Sequence, residues 1–86
     1  MTEKKLISFL ELAITTANIM ESTADWETKY EILLGDDDCV AIQVRSLGID
    51  LDYCDPDSSY QEDCLAFHAA VRDKAEELAK AFGLTK

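Results

Sequence analysis

The chain has 86 residues, 48% of them hydrophobic, and carries 18 acids against 8 bases for a net charge of −10. That describes one small domain, residues 1–86, with enough apolar side chain to pack a core, which argues against disorder. It also argues against direct nucleic-acid binding, which needs Lys and Arg to neutralise phosphates.

The first element is a helix over residues 3–20. Leu6, Leu10, Ala13, Ala17 and Met20 recur at steps of four and three and line one face, with Phe9 and Ile14 widening the stripe. "ESTAD" reads as the exit loop. Residues 29–34, "KYEILL", are rich in strand formers, and "GDDD" after them reads as a turn. Residues 39–45, "CVAIQVR", alternate Val40, Ile42 and Val44 against Cys39, Ala41, Gln43 and Arg45, which predicts a second strand of a hairpin. Residues 48–53, "GIDLDY", alternate too, with Ile49, Leu51 and Tyr53 on one side and Asp50 and Asp52 on the other. The last element is a helix. It starts either at Pro56 with Asp55 as N-cap, or one turn later at a capping box of Ser59 and Glu62. Tyr60, Cys64, Phe67, Val71, Ala75, Leu78 and Phe82 form its stripe, and Gly83 is its C-cap. The predicted fold is α+β: helix, three-stranded antiparallel meander, helix, with both helices on one face of the sheet.

The charge is concentrated in the middle. Residues 31–63 hold ten acids and one base, Arg45, for a net of −9, while residues 64–86 sum to +1. A block of one sign creates a field that steers a cationic partner. In the predicted fold Asp36, Asp37 and Asp38 lie on a turn and Asp50 and Asp52 on the solvent face of a strand. Asp55, Asp57, Glu62 and Asp63 lie at a helix start. Together they make a spaced set of carboxylates on one side of the protein, with Tyr53 and Tyr60 as aromatic candidates among them.

Metal binding fits this pattern poorly. A calcium loop needs glycine at its sixth position and an acid at its twelfth. Started at Asp50, those positions hold Asp55 and Gln61; started at Asp55, they hold Tyr60 and Ala66. Cys54, Cys64 and His68, with Cys39, are the candidate zinc set, but no C-x-x-C is present. The three cysteines are an odd count and no start resembling a signal peptide precedes them, so reduced intracellular thiols are expected. No cofactor is expected. Catalysis has no support either: Cys64 lies in the apolar stripe, where a thiol is inert, and no glycine-rich phosphate loop is present.

Two stretches carry a resemblance. In "TKYEILLGDDDCVAIQ" these are Thr28, Lys29 and Tyr30, then Asp37 and Asp38, then Val40, Ile42 and Gln43; "CDPDSSY" then leads into the last helix. With the predicted element order and the acidity, they resemble small phage-encoded anti-CRISPR proteins, and are most similar to the acidic inhibitor of the type I-F surveillance complex. The resemblance implies a monomeric DNA mimic, acting in the cytoplasm of a bacterial host. It would dock into the basic DNA-binding groove of a CRISPR effector complex and block target DNA. Two other readings stay open: an immunity protein or antitoxin that plugs the basic active site of a nuclease, and an intracellular protein-interaction module without mimicry.

Overall fold

The computed structural model describes residues 2–51 and 59–83, and its elements are helical. Helix α1 spans Glu3–Glu21. Thr2 caps it, with Oγ1 accepting from the Lys5 N–H at 3.2 Å. The expected helix is present, but its buried stripe is turned by one position. Leu6, Phe9 and Thr16 are fully buried, whereas Leu10 and Ala17 lie at the edge and Ile14 is 62% exposed. Thr16 can enter the core because its Oγ1 donates to the Leu12 carbonyl at 2.8 Å, which satisfies the hydroxyl within the helix.

The three-stranded meander does not form, and no strand occurs among the described residues. Asp25, read as the end of a loop, instead caps helix α2, Trp26–Tyr30, by accepting from the Thr28 N–H at 2.9 Å. Hydrogen bonding to Thr28, through its side chain and then its backbone, holds the Asp25 carboxyl below the usual carboxylate range. Helix α2 continues into a π-helical turn, Glu31–Gly35, closed by the Asp36 N–H on the Glu31 carbonyl at 2.9 Å. Helix α3 follows at Val40–Ser46. It ends at Gly48, whose φ of 79° favours glycine and whose N–H bonds the Arg45 carbonyl at 2.9 Å. The third predicted strand is absent over residues 48–51, and residues 52 and 53 lie outside the described residues.

The correction has a physical cause. Short apolar runs satisfy two periods at once. Val40, Ile42 and Val44 alternate, but Val40 and Val44 are also one helical turn apart. The helix buries those two, at 3% and 1% exposure, and leaves Ile42 at 42%. In the run before it, Tyr30, Leu33 and Leu34 share a helical face, so Leu33 is buried while Ile32 stays exposed.

Helix α4 spans Tyr60–Ala81 and starts at the later of the two expected positions. The Ser59 Oγ accepts from the Glu62 N–H at 3.2 Å, and Gly83, at φ 71°, bonds the Lys80 carbonyl at the other end. The alternative start at Asp55 and Pro56 lies outside the described residues. The centre of its stripe, Cys64, Phe67 and Val71, is completely buried, while its ends, Tyr60 and Phe82, are partly exposed. With Phe9, Leu33, Val40, Val44 and Ile49 these residues make one core, enclosed by the two long helices and the short ones between them. Lys29 ties the parts together. It is only 5% exposed, its Nζ donates to the Met20 carbonyl at 3.0 Å, and it lies 4.2 Å from the centre of the Trp26 ring. The carbonyl and the ring partner an ammonium that would be costly to bury alone. Its charge is also felt at Cys64, so the end of α1 and the start of α4 lie together and the two long helices run antiparallel. No helix among the described residues is long and apolar enough to cross a membrane.

Candidate functional site

The residues that carry the negative charge separate into two groups. The first is the 36–38 loop. Its backbone is held at both ends: the Asp36 carbonyl accepts from the Cys39 N–H at 3.1 Å, and the Asp38 carbonyl accepts from Gln43 Nε2 at 2.9 Å. The side chains of Asp36, Asp37 and Asp38 are exposed, and among the described residues none of the three forms an ion pair. The loop is fixed while its carboxylates face outward.

An aromatic pair connects this loop to α4. The Tyr30 ring lies across Gly35, where an added Cβ would sit 3.2 Å from the ring's Cε1. Tyr30 also meets Tyr60, with ring centroids 4.9 Å apart and planes tilted by 44°. That geometry is typical of favourable aromatic pairs. Tyr60 is 48% exposed and opens α4, and Glu62, also exposed, follows two residues later. Asp36, Asp37 and Asp38 are therefore connected through Gly35 and Tyr30 to Tyr60, while Glu62 lies in the same first turn of α4 but is turned well round the helix from Tyr60. Asp63, predicted for the same surface, is buried at 9% exposure and does not belong to the open face.

The second group surrounds Asp50. Asp50 is exposed and lines a groove with Ala70, Asp73, Lys74 and Glu77 in the middle and later part of α4. Those residues lie ten or more positions beyond Tyr60, at least about 15 Å further along the α4 axis. Lys74 pairs with Glu77 at 2.9 Å in this groove. Sequence reading missed Asp73 and Glu77, although their four-residue spacing on a helix is a signal for two acids on one face. Asp52, Asp55 and Asp57, with Tyr53 and Cys54, lie outside the described residues.

Among the described residues no three His, Cys, Asp or Glu side chains come together in a way that could hold a metal. Cys39 and Cys64 are free and buried, and His68, one turn after Cys64, lines the groove between α1 and α4. Burial pushes the Cys64 thiol up; the Asp63 charge adds to this and the Lys29 charge works against it. A protonated buried thiol is a poor nucleophile. Treatment of the native protein with iodoacetamide is therefore expected to leave Cys39 and Cys64 unlabelled, with both labelled in denaturant. Peptide mapping reads this directly, and native labelling of Cys64 would contradict its place in the core. Comparison with protein-family models, curated proteins and solved structures finds no match to this chain.

Proposed function

We propose that the protein is an inhibitor that presents carboxylates in place of DNA phosphates and occupies the basic DNA-binding groove of another protein in a bacterial cell. The observation that carries this reading is the fixed 36–38 loop with its three outward carboxylates, with the exposed Glu62 in the first turn of α4 as a further acid. A rigid loop gives up little side-chain and backbone freedom on docking, and adjacent like charges raise the rate of encounter with a basic groove. Asp50, with Asp73 and Glu77, supplies a second contact beside a later part of α4 on the same scaffold.

The target class follows less directly. The residue likeness to anti-CRISPR inhibitors points to a CRISPR effector complex. The helical fold removes the element order that favoured it, so a nuclease whose basic active site is plugged by an immunity protein stands level as a target. Both use the same acids and the same competition with DNA. The experiment is capture on the immobilised protein from cells carrying CRISPR complexes and from cells carrying a nuclease toxin, followed by elution with double-stranded DNA. A nucleic-acid-binding protein released by DNA supports the reading, and its identity decides between the targets. A partner that retains its DNA while bound counts against mimicry.

A further inference from the structure

The two long helices leave an open groove on one side. One edge of α1, with Glu11 and Thr15, faces Gln43 of α3 and Leu47 just after it. The other edge, with Leu10, Ala13, Ile14 and Ala17, faces Val71 and Arg72 of α4 across a groove of about 480 Å³. Ile14 is 62% exposed there, and Ile7, two turns earlier, is 51% exposed. On a chain with a net charge of −10 this is an unusual place for open aliphatic side chains.

Along this edge the exposed Ile7 and Ile14 alternate with the half-buried Leu10 and Ala17. Ile7, Leu10, Ile14 and Ala17 are spaced three, four and three, apart from the buried stripe that starts with Leu6 and Phe9. A repeat averaging 3.5 residues, with Ile and Leu alternating, is the seam that packs against a second helix in two-stranded assemblies. The groove's α4 rim is suited to a copy of itself. Arg72 has a side chain 64% exposed, and among the described residues its one ion pair is with its chain neighbour Asp73, at 3.8 Å. Glu76, also exposed, lies one turn later. Around a two-fold axis passing between them, Arg72 of one copy meets Glu76 of the other, and the reverse pair forms by symmetry. Neither Asp36, Asp37, Asp38 nor Glu62 lines this groove.

We infer that this groove is a self-association surface that takes a second copy of the chain. The Ile7–Leu10–Ile14–Ala17 seam is buried at its centre, reciprocal Arg72–Glu76 pairs lie at its rim, and α1 and α4 of both copies form a four-helix arrangement. This departs from the expectation of a monomer and goes beyond the proposed inhibitory role, because it uses none of the acids of the 36–38 loop. It also has the opposite salt dependence: two chains of −10 repel at long range, so added salt tightens the dimer.

Sedimentation equilibrium of the full chain between about 10 and 500 µM tests this. The wild type is expected to pass from the 9.6 kDa monomer to twice that mass, and to do so more readily at higher salt. Ile14→Glu is expected to weaken association at least about tenfold. Because Ile14 is mostly exposed, its circular dichroism is expected to match the wild type. Arg72→Glu places two acids at each rim contact and is expected to weaken the dimer about threefold or more, while Arg72→Glu combined with Glu76→Arg restores it. A wild type that stays at 9.6 kDa throughout would overturn the inference, as would an Ile14→Glu variant that associates like the wild type. Failure of the double variant to recover would overturn the reciprocal pairing.

Discussion

Reversing the three acids of the 36–38 loop to lysine, with Glu62→Lys, is expected to lower affinity for the basic target at least about 100-fold without unfolding the protein. The fold should survive because these side chains are exposed, and among the described residues Asp36, Asp37 and Asp38 form no ion pairs. What holds the loop is its backbone, through Asp36 to Cys39 and Gln43 to Asp38, and those bonds do not depend on the carboxylates. The melting temperature is expected to stay within about 4 °C of the wild type. Single reversals should each cost only severalfold, because an isolated charge at the rim of an interface acts mainly on the association rate. Asp50→Lys is expected to act independently of the loop variants, since it lines a different groove, with Ala70, Asp73, Lys74 and Glu77. Binding measured by calorimetry or fluorescence anisotropy against a captured target reads all of these. If loop reversals leave affinity unchanged while the fold is intact, the acids serve solubility alone.

Phe67→Ala is expected to be the most damaging single substitution in the core. Phe67 is completely buried, at the point where α4 meets α3 and the segment after it: it shares a lining with Ala41, Val44 and Ile49. Truncating a buried Phe costs about 3–5 kcal/mol through lost transfer energy and the cavity left behind. Small domains have only about 5–15 kcal/mol in total, and this chain is at the small end. The melting temperature should therefore fall by at least about 15 °C. Phe82→Ala, at the partly exposed end of the same stripe, is expected to shift it by only a few degrees. Thermal melts followed by circular dichroism distinguish the two. Equal effects would mean that the core is not centred where Phe67, Cys64 and Val71 place it.

The long helices were legible because their signals are redundant. In α4 the stripe runs through several turns, and Ser59, Glu62, Lys80 and Gly83 mark its ends independently. In α1 the period was correct, but the phase slipped because Thr16 looks polar in sequence. Only its hydrogen bond to the Leu12 carbonyl shows how it can be buried. The short elements were misread because five to seven residues do not separate a period of two from one of 3.6. Lys29 made this worse, since a lysine within "KYEILL" looks like a solvent-facing strand residue and is in fact buried under Trp26. The grouping of the acids was legible only in part. That the 36–38 loop is exposed follows from its composition. That Tyr30 connects it to Tyr60 at the start of α4, and that Asp50 lies beside Asp73 and Glu77, depends on packing between segments far apart in sequence.

The inhibitory reading depends on exclusion: the carboxylates of the 36–38 loop and Glu62 must occupy the site that DNA would use. The direct measurement is competition, in which the captured target is saturated with labelled double-stranded DNA and titrated with this protein over a salt series. The expected result is complete displacement, with an apparent affinity that weakens as salt rises and screens contacts beyond about 8 Å. The loop-reversed variant should displace nothing at the same concentrations. A ternary complex of target, DNA and inhibitor, or displacement that the loop-reversed variant reproduces, would contradict DNA mimicry by this acidic end.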